Sequence, residues 1–298
     1  MLNLLKKSKT WALNIITVVL TLNRRLDIIN LLKECNTWAL SIITLVFTFV
    51  PETIFGKCKI LSNASDEQNL VLTRVLAFIA VLVSVIILDT LYLLCRRSIH
   101  IKGKNYSINI KYGDLFKMRD CKKVIPFDEC FTTSVGDSPS NINPDSICGQ
   151  YLKENPIQDM QILIDNAQLK SAKSKSKYQN KERYDSGKLV PNGDYLLMAF
   201  AKLDKDGLGR LSRDEFLDCL STLWKEIDKY YGQKDVCIPV LGSGVTRMDG
   251  TSLTQQELLD IIIGSYRLSA HKMKSPCQLH IVCKKRDDFY LNKIGENM

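Results

Sequence analysis

Two glycine-bearing segments hold the residues of this sequence best suited to a phosphorylated ligand. In Ile238-Pro239-Val240-Leu241-Gly242-Ser243-Gly244-Val245-Thr246, a buried-type apolar run opens into a loop with two glycines, and a helical pattern follows near Ser252. Glycine lets backbone amides approach a ligand closely, and successive amides form a nest suited to phosphate. In the second segment, a strand pattern from Asn109 ends in Gly113-Asp114-Leu115-Phe116. An aspartate just past a strand end can accept a hydrogen bond from an amino group, or it can cap its own turn. A third candidate is Asp128-Glu129, directly after an apolar run from Lys123 to Phe127, where a carboxylate could activate water.

Metal chemistry is poorly supported. The ten cysteines lie at 35, 58, 95, 121, 130, 148, 219, 237, 277 and 283, and no two have the spacing that delivers zinc ligands in close pairs. Scattered single cysteines fit small buried side chains in a reducing compartment. The stretch from Asp204 to Glu215 resembles a calcium loop, with acids at its first, third and twelfth positions and Gly207-Leu208-Gly209 inside. Its fifth position, Leu208, offers no side-chain oxygen. The plainer reading is an Asp-Gly turn followed by a helix capped by Ser212, with Asp214 and Glu215 in its first turn. No metal is expected.

The elements that must position these loops alternate in type. Short strands are predicted at Ser107–Tyr112, Lys123–Phe127, Tyr195–Ala201, Val236–Leu241 and Leu279–Cys283. Helices are predicted over Ser212–Tyr231, with Phe216, Leu217, Leu220, Leu223, Trp224 and Ile227 on one face, and over Ser252–Ala270. Such alternation implies a sheet covered on both faces. In α/β sheets, ligands bind beyond the carboxyl ends of the strands, where both glycine segments fall. Residues 171–188 are lysine-rich and aperiodic, and read as a solvated surface loop.

The N-terminal third is different. Val75–Cys95 is a 21-residue run whose one charge is Asp89. At 1.5 Å per residue it reaches about 31 Å, the thickness of a bilayer's hydrocarbon core. Residues 36–55 read as a second span interrupted by Pro51, forming a hairpin with the first. Segment 10–22 is short enough to be a span, an interfacial helix or a signal core, although no small-residue cleavage site follows it. It is copied at an offset of 27 residues: Asn3-Leu4-Leu5-Lys6 and Thr10-Trp11-Ala12-Leu13 recur as Asn30-Leu31-Leu32-Lys33 and Thr37-Trp38-Ala39-Leu40. Two copies are too few for a solenoid, and a local duplication suffices.

The net charge is +9, but it is spread: residues 1–95 hold nine Lys/Arg against six Asp/Glu. A dedicated nucleic-acid interface concentrates its charge, so no nucleic-acid partner is expected. Arg96, Arg97, Lys102 and Lys104 follow the last run directly, against Lys57 and Lys59 in the preceding loop. The positive-inside rule then puts the remainder in the cytoplasm. The boundaries read as a membrane region over 1–95, a juxtamembrane linker over 96–106, and an α/β domain over 107–298.

Taken together, Gly113-Asp114-Leu115 and Gly242-Ser243-Gly244-Val245-Thr246 resemble the macro domain, over about residues 107–298. In that family the first turn holds adenine and the second loop wraps a diphosphate and distal ribose. The resemblance implies an α/β macro-domain-like mixed sheet flanked by helices, preceded here by a transmembrane α-helical hairpin. It implies a site of Asp114, Leu115, Phe116, Gly149, Gly242, Ser243, Gly244, Val245 and Thr246. Catalytic macro domains carry an asparagine-rich stretch where this chain has Phe127-Asp128-Glu129-Cys130-Phe131, and only 141–149 occupies the place of a triple-glycine loop. Hydrolase activity is therefore the alternative, with Asp128 or Glu129 as its base, and ligand binding the preferred reading. With its membrane segments, and with Val124–Phe131 and Ile142–Gly149, the chain resembles the membrane effector of the bacterial type II Thoeris anti-phage systems. That resemblance implies no enzymatic activity and no cofactor. The expected ligand is an ADP-ribose derivative, such as a histidine conjugate, made from NAD by a partner enzyme with a Toll/interleukin-receptor-like domain. It also implies a multi-pass protein of the bacterial inner membrane, with lipid bilayer and further copies of itself as partners, that oligomerises and disrupts the membrane.

Overall fold

Period-two burial sets the architecture. In strand β3 (Cys121–Asp128), Val124 joins one apolar layer while its neighbours Ile125 and Phe127 join the other, so the strand is covered on both faces. In this computed structural model the described residues are 28–51, 65–136, 138, 141–244, 247–248, 253–286 and 289–294. The chain divides into two units, Met1–Arg96 with Gly295–Met298, and Arg97–Ile294.

The larger unit is a mixed sheet. Its remaining strands are β1 (Ser98–Lys102), β2 (Ser107–Tyr112), β4 (Leu189–Asn192), β5 (Tyr195–Leu203), β6 (Gly209–Leu211), β7 (Asp235–Pro239), β8 (Arg247–Met248) and β9 (Leu279–Cys283). Among the described residues their order is β1-β2-β9-β7-β3-β5-β6-β8, with β4 beside β5. The central strands β2, β9, β7, β3 and β5 are mutually parallel, and β1 and β4 pair antiparallel to β2 and β5. Five parallel strands therefore end at one edge.

One face is covered by α5 (Arg213–Tyr230) and α6 (Gln255–Leu268). Phe216, Leu220, Leu223, Trp224 and Ile227 of α5 meet Leu258, Leu259, Ile262 and Tyr266 of α6 over the sheet. Trp224 Nε1 donates to Ser265 Oγ at 3.0 Å, giving the buried indole its polar partner. Leu217, expected on this face, is 49% exposed. The helix starts where the sequence puts it: Ser212 Oγ accepts from the Glu215 amide, and Glu215 reaches back to the Ser212 amide. The other face is covered by α3 (Ile147–Glu154) and α4 (Met160–Asn166), which bury Tyr151, Leu152 and Ile164.

Two expectations change here. Residues 98–102 were expected within a linker, but they form β1, pairing with Lys111–Ser107. The hydrogen-bonding edge of β2 is otherwise open, and Ile99 buries against the core. The 171–188 loop is not merely solvated: Ser176 and Tyr184 are buried, and the backbone bonds from Ala172 to Arg183 and from Tyr184 to Glu129 fasten it down.

In the smaller unit, α1 (Ile28–Phe49) and α2 (Asp66–Cys95) pair antiparallel. Cys35 Sγ donates to Asp89 Oδ2 at 3.2 Å, while the Arg74 guanidinium lies 5.5 Å from the Phe47 ring centroid. Early residues of one helix thus meet late residues of the other. Ser65 caps α2 through a reciprocal bond with Gln68. By length and composition, Asp66–Leu93 is the one helix among the described residues apolar enough to cross a membrane. The second expected span, 36–55, contributes the shorter apolar helix Cys35–Phe49, whose end before Pro51 follows from the clash between proline and a preceding helical residue. Segment 10–22 lies outside the described residues.

Candidate functional site

The site begins with a missing donor. Lys123 N donates to Asp194 O, so alternate residues of β3 point their amides at β5 and the intervening ones face β7. Pro126 faces β7 and has no N–H to give. The β3–β7 ladder accordingly covers only 121–123 with 235–237, whereas β7 continues along β9 to Pro239. The two strands part at their carboxyl ends. A cavity of about 600 Å³ opens there, lined by Pro126, Asp128, Pro239, Val282 and the loops that follow each strand. That volume suits a drug- or nucleotide-sized ligand.

Two of its walls are the segments the sequence singled out. Gly113 N donates to Cys283 O at 3.2 Å, tying the first turn to the end of β9. Asp114 then caps a short 3₁₀ turn, its Oδ1 accepting from Phe116 N at 3.0 Å. Leu115 is buried beneath, and Asp114, Leu115 and Phe116 all line the cavity. Across the crevice, Gly242 has φ +80°, a left-handed conformation that a side chain resists, and it turns the chain where Ser243 and Gly244 join the cavity wall. Ser243 Oγ donates to Val240 O at 2.7 Å, and Arg286 donates to Ser243 O at 2.7 Å. A Cβ on Gly244 would meet open space. Gly242, Ser243 and Gly244 line the cavity; Val245 and Thr246 lie outside the described residues.

The third wall is 141–150. Asn143 Oδ1 accepts from Asp145 N at 2.8 Å, and Ser146 caps α3 by accepting from Gly149 N at 3.0 Å. Gly149 does not line the cavity as expected. A Cβ there would come within 2.3 Å of Asn143 O, so it serves close packing of α3 against the preceding turn.

The candidate carboxylates are committed to structure. Asp128 lines the cavity, but its Oδ1 accepts from Cys130 N and Thr132 N at 2.8 and 3.2 Å, capping its own turn. Burial pushes its carboxyl above the usual aspartate range, against the pull of these bonds. Glu129 is 2% exposed and faces away from the cavity. It accepts from Ser176 Oγ at 2.5 Å, Leu203 N at 3.1 Å and Arg183 Nη1 at 3.3 Å, anchoring the 171–188 loop. The calcium-like loop is likewise occupied by its own chain. Asp204 pairs with Arg210 Nε at 2.6 Å and accepts two backbone amides, while Glu215 pairs with Lys202 at 2.5 Å. No group of three or more His, Cys, Asp or Glu side chains that could hold a metal occurs among the described residues. Burial pushes the Cys130 thiol to about 11 and the Cys283 thiol to about 12, as expected of buried, inert thiols.

Lys284, Arg286 and Gln255 are among the cavity residues that escaped the sequence reading. Lys284 and Arg286 follow β9, where the signal was a basic run, Lys284-Lys285-Arg286, just past a strand end. Gln255 opens α6; nothing in its type or spacing distinguishes it from a surface glutamine, yet it is 2% exposed.

The Thoeris protein ThsA macro domain family matches residues 108–284. The Thoeris protein ThsA of Bacillus amyloliquefaciens (strain Y2) is 30% identical over 217 residues, covering 70% of this chain and 72% of that protein. Among solved structures, a macrodomain variant from Oceanobacillus iheyensis is 12% identical with a TM-score of 0.44, covering 65% of this chain and 93% of that one. A second variant from that organism, solved with ADPR, is 11% identical with a TM-score of 0.43, covering 64% and 92%. With a family match over more than half its length, and a relative this similar over more than two thirds of both chains, the chain belongs to the Thoeris ThsA macro domain family.

Proposed function

We propose that this chain is a membrane-anchored receptor of anti-phage defence, whose cavity binds an ADP-ribose-type nucleotide derived from NAD. The observation that carries the reading is the convergence of the Gly113-Asp114 turn and the Gly242–Gly244 loop on one nucleotide-sized cavity at the carboxyl ends of the parallel strands. Asp114 presents a carboxylate to a base amino group. The Gly242–Gly244 backbone, with Arg286 beside it, suits a diphosphate. Val245 and Thr246 continue that loop and complete it in this reading.

Binding rather than hydrolysis is favoured because Glu129 is buried among side-chain and backbone partners outside the cavity lining, and Asp128 already caps its own turn through Oδ1. A ligand that binds one assembly state more tightly than another shifts the chain toward that state. Oligomerisation and membrane disruption follow as the output in this reading. The membrane part rests on α2, whose side chains Val75, Ile79, Val83 and Leu88 stay exposed. The hydroxyls of Thr44, Thr48 and Ser84 fold back onto carbonyls four residues earlier, removing polar groups from an apolar surface.

The test is calorimetric titration of the full chain in nanodiscs with ADP-ribose, with chromatography of the nucleotide afterwards. Saturable binding without turnover supports a receptor. Turnover lost in Asp128→Asn makes it a hydrolase, and absence of binding by any adenine nucleotide overturns the reading.

A further inference from the structure

Gln255 is the first residue of α6 and stands between the end of β9 and the loop after β7. Its Nε2 donates to Lys284 O at 2.9 Å. That bond fixes which end of the amide is which, since a carbonyl oxygen can accept only from the nitrogen side. The amide oxygen Oε1 is left buried without a partner, in a side chain that is 2% exposed and belongs to the cavity wall. Folding took this acceptor out of water and returned nothing, which is uncommon in proteins and marks a place where a donor is missing.

The orphan lies toward the Asp114 turn, the adenosine end in the reading above. Lys284, which anchors the amide, follows Cys283, and Cys283 O takes the Gly113 amide of the Asp114 turn. We infer that Gln255 is a specificity-determining residue for the bound nucleotide: its Oε1 accepts a hydrogen bond from an N–H or O–H donor of the adenosine moiety. This rests on the ADP-ribose reading above. Three groups of the adenosine offer that chemistry, the exocyclic amino group and the 2′- and 3′-hydroxyls. A site that buries an acceptor rejects analogues lacking the donor, because the acceptor then stays unpaired.

The experiment measures affinities of the full chain in nanodiscs for ADP-ribose and for its inosine, 2′-deoxyadenosine and 3′-deoxyadenosine analogues. The wild type is expected to favour ADP-ribose over one analogue by about tenfold or more. Gln255→Met keeps the length and removes the acceptor, and is expected to shrink that same ratio by about tenfold while changing the other ratios little. The arm that responds names the donor. Equal binding of all four ligands by the wild type, or ratios unchanged in Gln255→Met, overturns the assignment while leaving nucleotide binding intact. Should Gln255→Met fail to fold, Gln255→Leu repeats the comparison, since Asp114 alone would also give the wild type a preference for the amino group. Wild-type protein that binds none of the four fails the underlying reading, and this assignment with it.

Discussion

At the scale of single residues, two adjacent acids show how position overrides type. Asp128 and Glu129 looked equivalent in sequence, but strand alternation and a register shift at Phe127/Asp128 send one to the cavity wall and the other into the protein. Glu129 holds a loop serine, a loop arginine and a strand amide at once. Glu129→Ala leaves those donors buried and unpaired, and is expected to destabilise the fold by about 3–5 kcal/mol, measured by denaturant unfolding of the larger unit. Asp114→Ala removes a cavity carboxylate that is partly exposed, so it is expected to weaken ADP-ribose binding about tenfold or more with a much smaller loss of stability. Titration and melting curves on the same samples separate the two effects. Asp114, Leu115, Phe116 and Gly242–Gly244 were legible because turn chemistry past a strand end is local. Gln255 was not, because its importance comes from a carbonyl 29 residues further along the chain.

At the scale of elements, the apolar central strands and the long helices were legible and the peripheral pieces were not. The five central strands read as apolar runs, and helices α5 and α6 are long enough for their period to show. Strands β1, β4, β6 and β8, and helices α3 and α4, are between two and eight residues long, and tertiary pairing creates them. The cap of α5 offers a pH test. Burial draws the Glu215 carboxyl upward, but Lys202 and the Ser212 amide outweigh it and leave it below the ordinary value of 4.5. A depressed carboxylate adds stability that is present above its unfolded value and lost as pH falls through the folded one. Acid unfolding followed by circular dichroism is therefore expected to depend less steeply on pH in that interval in Glu215→Gln than in the wild type. In α3, Gly149→Ala drives a methyl against the Asn143 carbonyl. It is expected to cost about 1–3 kcal/mol and to displace the 141–146 wall, read as weaker nucleotide binding with a lower Tm.

At the scale of the whole molecule, sequence hydropathy separated the N-terminal helices from the α/β unit, because a run of apolar residues without a polar face needs no tertiary information to recognise. It could not separate linker from strand at Ser98–Lys102, where hydrogen bonding to β2 decides. The two units answer to different substitutions. Val83→Lys puts a charge at the middle of α2, at about 2.5–3.5 kcal/mol by insertion scales, and is expected to reduce membrane association in flotation assays while nucleotide affinity stays unchanged.

The β1 strand carries a mechanical consequence. Helix α2 ends at Cys95, and Arg97 O already accepts from Tyr112 N at 3.2 Å, one residue before the Gly113-Asp114 turn. Two peptide steps give at most about 7 Å of slack. The chain between the two is therefore too short to hold a flexible spacer: where α2 stops, the sheet starts.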